Sequence, residues 1–293
     1  MQNFKTTTSF KTEFENKLSC AIVTLNEEKN IIDCINSIRE VGDFEIRVYD
    51  GGSTDNTVSI ARKMGVLVIE NPGTSLSYRR QLAADELNNK YIFYVDADHR
   101  INSLKGQIDN IITKYFDSPS VAGIMFRKKS DQKDYWSNGF YWQGELFFNN
   151  VVNPKIIGMP CIFRTQLVKD VGFGGPSGSI DDTTLCTRLA MAGYTFRITE
   201  TSVIEKFRAS FKLTLKKAFW YGQGDAEFVK INTGRLRRRH IFHVLVRHLL
   251  INPCISLIRK PLYLPFFLSF GAARALGFGW GLIYSFDMSS LKS

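Results

Sequence analysis

Tyr91-Ile92-Phe93-Tyr94-Val95-Asp96-Ala97-Asp98-His99 is the stretch on which the fold turns. Its strand-forming residues, bounded by Asn88-Asn89-Lys90 and by a polar turn, predict a buried central strand. Two carboxylates one residue apart follow at its C-terminal end, the edge where an open α/β sheet carries its chemistry. Side chains alternate along an extended chain, so Asp96 and Asp98 face the same way with Ala97 turned aside. Neighbouring carboxylates repel, and a divalent cation set between them and a phosphate removes the repulsion. Hard oxygen ligands select Mg²⁺ or Mn²⁺ over zinc. By itself the tripeptide reads more simply as an acidic turn or as a cap before a helix at Asn102 or Ser103. The decision therefore lies with its surroundings.

Upstream, Leu18 to Leu25 predicts a first strand, and Asn26-Glu27-Glu28-Lys29-Asn30 opens a helix with Ile31, Ile35 and Ile38 at helical spacing. A second strand, Phe44 to Tyr49, runs into Asp50-Gly51-Gly52-Ser53-Thr54-Asp55-Asn56-Thr57; Val58 to Met64 is helical, and Gly65 closes that helix. Val66 to Ile69 predicts a third strand and Leu76 to Leu87 another helix before the central strand. Strand and helix thus alternate through the first hundred residues, which predicts an α/β fold with a doubly wound, mostly parallel sheet.

In such a sheet the loops after the strands share one edge. Thr24, Asn26 and Glu27 follow the first strand, Asp50 the second, and Asp96 and Asp98 the fourth. There is no G-x-G-x-x-G after the first strand and no Walker A sequence, which argues against dinucleotide and P-loop chemistry. A carboxylate such as Asp50 can accept hydrogen bonds from a base N–H or a ribose hydroxyl, with Gly51-Gly52 letting a ligand approach the backbone. Arg79 and Arg80, on the helix leading to the central strand, are within reach of a diphosphate; a solvated helix face suits one of them equally.

These stretches resemble glycosyltransferase family 2 with the GT-A fold. The resemblance rests on the order and separation of Thr24-Leu25-Asn26-Glu27-Glu28, Asp50 to Thr57 and Asp96-Ala97-Asp98. It continues through Gly158 to Arg164, Val171-Gly172-Phe173 and Ile180 to Leu189. It implies a nucleotide-diphosphate sugar donor whose base and ribose are held by Thr24, Asn26, Glu27 and Asp50. Asp96 would assist at the ribose or metal, Asp98 would bind the metal on the diphosphate, and Asp182 matches the family's catalytic base. Asp181 stands where Glu is common, keeping the charge and shortening the reach on the acceptor side. The chemistry of an inverting transfer asks for the same thing: one carboxylate to take the acceptor hydroxyl's proton, and a leaving group whose charge is neutralised. Helix-dipole complementarity accounts for one of Asp181 and Asp182 without any catalysis. Processive synthases of the family carry Gln-x-x-Arg-Trp late in the chain; here the comparable region reads Trp220-Tyr221-Gly222-Gln223-Gly224-Asp225, which predicts a single transfer per encounter.

Composition bounds the remainder. The 293 residues are 44% hydrophobic and 13% aromatic, ample for a substantial core. The cysteines, Cys20, Cys34, Cys161, Cys186 and Cys254, are odd in number with no C-x-x-C pair, which predicts buried thiols in a reducing compartment. Met1 to Lys17 is polar and unlike a signal peptide, so the catalytic part is expected in the cytoplasm. Asp131 to Pro154 is rich in aromatics; packing under the sheet is their commoner use, and Trp136 or Trp142 is expected on the acceptor side.

The net charge of +10 is concentrated between Lys206 and Lys260, where 13 Lys or Arg face only Asp225 and Glu227. Arg237-Arg238-Arg239-His240 leads into Ile241 to Ile258, in which His240, His243 and Arg247 share one helical face. That pattern predicts a helix lying in a membrane interface and interrupted by Pro253. Leu262 to Phe286, with the single charge Arg274, is long enough at about 1.5 Å per residue to span a bilayer. Arg274 would cost about 2.5–3.5 kcal/mol at the centre, and Pro265, Gly271, Gly277, Gly279 and Gly281 weaken a straight helix. Two helices dipping into one leaflet keep every cation at one anionic surface, whereas a spanning Ile241 to Ile258 would strand Arg259-Lys260 on the far side. A monotopic, cytoplasm-facing anchor is expected, with one C-terminal span or burial against another subunit as the alternatives. Continuous apolar sequence after the basic run argues against nucleic acid.

The expectation is an N-terminal extension (1–17), a GT-A catalytic domain (18–235) and a basic, apolar membrane-associating tail (236–293). The partners are a nucleotide-diphosphate sugar, a lipid-linked or envelope saccharide acceptor and an anionic membrane. A sugar nucleotidyltransferase and a catalytically silent scaffold on the same fold are the rival readings. The former is disfavoured because Thr24 to Glu28 is acidic where a triphosphate needs a glycine-rich, basic loop.

Overall fold

The computed structural model describes residues 17–147, 151, 153–174 and 178–284; of the sequence expectations, residues 1–16 of the N-terminal extension, 148–150 and 152 of the aromatic stretch and 285–293 of the tail lie outside them. The order is β1 (Leu18–Thr24), α1 (Ile31–Arg39), β2 (Glu45–Asp50), α2 (Thr57–Lys63), β3 (Leu67–Glu70), α3 (Leu76–Glu86), β4 (Tyr91–Asp96) and the short β5 (His99–Arg100). Next come α4 (Ile108–Tyr115), β6 (Val121–Ser130), α5 (Tyr135–Phe147), β7 (Cys161–Arg164), α6 (Thr165–Val171), α7 (Asp181–Met191) and β8 (Thr195–Glu205). The chain ends in helices: α8 (Phe211–Ile231), α9 (Gly234–Phe242), a wider π-type segment (His243–Ile251), α10 (Asn252–Arg259) and α11 (Leu264–Ile283).

The strands form one mixed sheet in the order β3-β2-β1-β4-β7-β6-β8-β5. β1, β2, β3 and β4 are mutually parallel; β7 runs against both β4 and β6, which makes β6 and its parallel partner β8 co-directional with the first four. Only β7 and β5 are reversed, so the C-terminal ends of six strands share an edge, as expected of a doubly wound sheet. Alternation along the central strands builds two apolar layers. Cys20, Ile22, Phe93 and Val95 pack with α1, α2 and α4, while Ala21, Val23, Ile92 and Tyr94 pack with α3, α6 and α7. Cys20, Cys34, Cys161 and Cys186 are buried, Cys254 is exposed, and all five are free thiols.

A second core lies among the helices. Phe266, Phe267, Phe270 and Ala273 of α11 pack with Ala218 of α8 and with Trp136 and Phe140 of α5, so helices of the expected tail share a core with two that precede them. Trp136 and Phe140 of the aromatic stretch therefore pack on α11, not under the sheet. The glycines of α11 serve this docking: a Cβ at Gly277 would stand 2.0 Å from the Phe219 carbonyl, and one at Gly222 of α8 2.0 Å from the Arg274 carbonyl. The two backbones touch where a side chain has no room. Pro253 does not end the preceding helix, because the π-type segment widens the coil just before it. Gly234–Arg259 and Pro261–Ile283 are helical runs of 26 and 23 residues, long and apolar enough to cross a membrane.

Candidate active site

The first two loops at the sheet edge are stitched together by the side chains of the glycine-rich stretch. Ser53 Oγ accepts the Asn26 N–H at 2.8 Å, Thr57 Oγ1 accepts that of Glu27 at 2.7 Å, and Asp55 Oδ2 that of Glu28 at 3.1 Å. Asn26 sits at φ +56°, a left-handed conformation that Asn tolerates, and its Oδ1 accepts the Thr54 N–H at 2.8 Å. Asp50 is fully buried: Oδ2 accepts the N–H groups of Gly52 and Ser53 at 2.8 Å each, and Oδ1 accepts the hydroxyls of Thr24, at 3.0 Å, and of Ser53. It shapes the loop from behind, while Thr24, Asn26, Glu27, Gly51 and Gly52 line a large cavity. Burial raises the Glu27 carboxyl despite a hydrogen bond from Asn30, with Asp98 and Asp96 adding to the rise. A Cβ at Gly51 would displace the Arg79 guanidinium, which packs against this glycine.

Beyond β4 the chain turns tightly into β5. The Asp96 N–H donates to His99 Nδ1 at 3.1 Å, and the Lys206 N–H to the Asp98 carbonyl at 2.8 Å, which ties the turn to the end of β8. Asp96, Asp98 and His99 bring three potential ligand atoms within 4.8 Å of one another. The ring's Nδ1 is engaged by the Asp96 N–H, and the carboxylates of Asp96 and Asp98 offer oxygen ligands beside it. Burial raises the Asp98 carboxyl; His99 opposes the rise, but Glu205 and Asp96 reinforce it. Carboxylates crowded in this way, offering hard oxygens, suit a divalent cation. Asp96 is held below its ordinary value, since Arg80 and His99 outweigh its burial.

Arg80 is the hinge of the site. It donates through Nη1 to Asp181 at 2.6 Å and through Nη2 to Asp96 at 2.9 Å, all but buried between them. Its guanidinium, expected at a diphosphate, borders the cavity and couples the β4 loop to the start of α7. Asp181 is buried in that bridge, and Asp182 faces the cavity. Its Oδ1 accepts the Thr183 N–H at 2.6 Å, and its Oδ2 lies beside Gly158, another lining residue. Burial and the neighbouring Asp181 push the Asp182 carboxyl up to about 6.

Thr24, Asn26, Glu27, Arg80, Asp96, Asp98, Asp181 and Asp182 border one continuous cavity of about 1730 Å³, with Asp50 and His99 set behind its lining. Trp136 and Trp142 do not line it. Trp136 packs on Phe211 and Phe266, and Trp142 lies under Lys260 Nζ at 3.5 Å; Phe140 and Tyr141 supply the aromatic wall instead. Sequence reading missed Lys128, Glu205 and Lys217, which border the cavity beside Asp98. Lys128 Nζ donates to Glu205 at 2.8 Å, and Lys128, His99 and Lys217 overcome burial to hold that carboxyl down at about 2. For Lys128 and Glu205 the available signal was position, since both lie near the C-terminal ends of strands that feed the same edge; Lys217, on α8, carried none. His240, His243 and Arg247 do share a helical face, as expected, and that face lines the cavity. Asp225 draws His240 and Arg274 inward.

A sequence model of the family described as glycosyl transferase family 2 matches residues 19–172, more than half of the chain. The chain belongs to glycosyl transferase family 2. Among curated relatives, uncharacterized glycosyltransferases of Rickettsia conorii and Rickettsia prowazekii are 30% and 31% identical over 121 residues, 40% of this chain. The chain spans about two fifths of the length of these relatives, 43% and 41%. Among solved structures, the mannosyltransferase PcManGT from Pyrobaculum calidifontis, in complex with GDP-Man and Mn²⁺, is similar at TM-score 0.65 and 16% identity, over 92% of this chain and 89% of that one. Residues 1–349 of TarS from S. aureus are similar at TM-score 0.53 and 15% identity, over 91% and 90%. Likeness at this identity concerns the GT-A fold, which this family 2 member shares.

Proposed function

We propose that this family 2 member moves one sugar, with inversion, from a nucleotide-diphosphate sugar to a lipid-linked or envelope saccharide acceptor at the cytoplasmic face of a membrane. The observation that carries the reading is that Asp98 and Asp182 border one cavity, with Arg80 pinned between Asp96 and Asp181. Thr24, Asn26, Glu27 and the Gly51–Gly52 edge receive the base and ribose, and Asp50 holds that edge in shape. A divalent cation, Mg²⁺ or Mn²⁺, on Asp96 and Asp98 would neutralise the charge that grows on the departing diphosphate. Asp182 takes the acceptor hydroxyl's proton as the new bond forms; a carboxyl raised to about 6 is a better base than an ordinary one and is still ionised at neutral pH. Arg80 keeps the cation loop and the base in register, so that leaving-group and proton-transfer chemistry act on one donor.

The outer face of the terminal helices supports membrane attachment. Leu250, Leu257, Ile258 and Leu262 are exposed, and Arg237, Arg238, Arg259 and Lys260 accompany them. The opposite, polar face lines a cavity continuous with the catalytic residues, so the helices are best placed lying in one leaflet. The test is a thermal-shift screen of UDP- and GDP-sugars with and without Mn²⁺, followed by transfer or donor hydrolysis in Asp98→Ala and Asp182→Asn. Metal-dependent stabilisation by one donor, with turnover lost in both variants, supports the assignment. It fails if none of these donors binds or if both variants turn over normally.

A further inference from the structure

The Asp98 carboxylate accepts no hydrogen bond among the described residues; the His99 ring stands 3.8 Å away, too far to give one. Where that carboxylate points therefore depends on the backbone that carries it. Arg100 holds this backbone. Its Nη1 donates to the carbonyls of Ala97 and His99, at 3.1 and 3.0 Å, so one nitrogen closes the turn on both sides of Asp98. The guanidinium is buried, and α1 fixes its other end: Nη2 donates to Asn30 Oδ1 at 3.3 Å and to Asp33 Oδ2 at 3.4 Å.

Asn30 stands at the N-cap of α1, yet its side chain caps nothing. Its Nδ2 donates to Glu27 Oε2 at 2.8 Å while its Oδ1 accepts Arg100. A guanidinium only donates and a carboxylate only accepts, so an amide, which does both, is the side chain that can stand between them. Three side chains thus run from the loop after β1, where Glu27 borders the cavity, to the loop after β4. The same helix ties the turn twice more. Cys34 Sγ donates to the Asp96 carbonyl at 3.7 Å, and Ser37 Oγ accepts the Ile101 N–H at 3.2 Å.

We infer that Arg100 and Asn30 are positioning residues that couple the nucleoside end of the donor site to its cation end. Arg100 sets the turn that aims Asp98, and Asn30 links Arg100 to Glu27. The inference rests on the transferase reading and adds to it two residues outside the cavity lining. A nucleoside in contact with Glu27 orders Asn30 and Arg100 before a cation arrives; a cation does the same for the nucleoside, because coupling between two ligands is reciprocal.

The test uses the full chain and reads binding, not turnover. Mn²⁺ is titrated without nucleotide and followed by its EPR signal. UDP and GDP are titrated by calorimetry, once in EDTA and once at saturating Mn²⁺. Each variant is compared at temperatures where its melting curve in EDTA shows it folded. Outer partners of a metal site are worth about 10- to 100-fold in affinity, so Arg100→Met should weaken Mn²⁺ by about tenfold or more. Arg100→Lys, which can still donate to the two carbonyls, should recover part of that loss. Asn30→Ala, at a half-buried position, should shrink the factor by which Mn²⁺ tightens the nucleotide by about fivefold or more. Unchanged Mn²⁺ affinity in a folded Arg100→Met, or an unchanged factor in Asn30→Ala, overturns the inference and leaves the transferase reading standing. Should Arg100→Met not fold, Asn30→Ala decides. If neither UDP nor GDP binds the wild type with Mn²⁺, the transferase reading falls and takes this inference with it.

Discussion

Asp225 on α8 and Arg274 on α11 grip each other through two hydrogen bonds, 2.6 and 2.9 Å long, at the seam between the two helices. Burial alone would raise the Asp225 carboxyl, but Arg274 and His240 hold it far below its ordinary range. The charge that looked out of place in an apolar segment is one half of a buried pair. Removing one partner leaves the other unpaired, which costs about 3–5 kcal/mol. Arg274→Met and Asp225→Leu should each lower the midpoint of urea unfolding by a corresponding amount, and the double variant should recover much of the loss. Additive losses in the double variant would show that the pair does not couple.

The raised Asp182 carboxyl sets a pH limb. A general base must be ionised, so kcat/KM should fall about tenfold per pH unit below about 6. Asp182→Asn should lose about 10²- to 10⁴-fold in rate together with that limb. The linkage runs the other way for stability. A carboxyl whose folded-state value is raised favours its neutral form in the native chain, so the native state loses ground as pH climbs through about 6. Asp182→Asn should therefore melt above the wild type at pH 8 while being inactive. A variant that melts lower there contradicts the sign.

Much of this was legible in the letters. β1 to β4 and the helices between them fall within one or two residues of the sequence expectation for most boundaries, because alternation and glycine punctuation are local signals. Asp96, Asp98 and Asp182 were singled out by strand ends and by family resemblance, and the fold brings them to one cavity. Partnership was not legible. Arg80 lies 101 positions from Asp181 and Arg274 lies 49 from Asp225, and no local pattern says which acid a buried guanidinium will meet. The same gap misplaced Trp136 and Trp142, since an aromatic run looks alike whether it faces a ligand or another helix.

Metal dependence should be carried by Asp98. Chelation with EDTA should abolish transfer and Mn²⁺ restore it, with donor and Mn²⁺ together raising the melting temperature. At a hundred times Kd a ligand stabilises by about 2.7 kcal/mol, and in Asp98→Ala that metal-dependent rise should vanish. An equal rise in wild type and variant would place the cation elsewhere.

Gly277 and Gly222 test the helix seam without touching any charge. A Cβ at either position meets a carbonyl oxygen of the facing helix at 2.0 Å, and a backbone cannot rotate away as a side chain can. Gly277→Ala should destabilise by about 1–3 kcal/mol, as overpacked sites do. Gly279, whose added Cβ would meet nothing, is the control, and Gly279→Ala should be neutral or slightly stabilising. Matching melting temperatures for the two variants would mean that α8 and α11 are not in contact at Gly277.

Ile258 and Leu262 are 83% and 70% exposed, so replacing them removes little packing within the chain. If they enter the acyl boundary of a bilayer instead, each contributes about 1.5–3 kcal/mol of transfer free energy, and its loss shifts partition by about tenfold or more. Ile258→Ser with Leu262→Ser should move the protein from sedimented anionic vesicles into the supernatant while leaving its melting temperature in solution unchanged. High salt should weaken the residual binding further, because each Lys or Arg near an anionic surface adds about 1 kcal/mol that screening removes. If the double variant sediments with vesicles like the wild type, these residues do not face lipid, and a second subunit becomes the better cover for them.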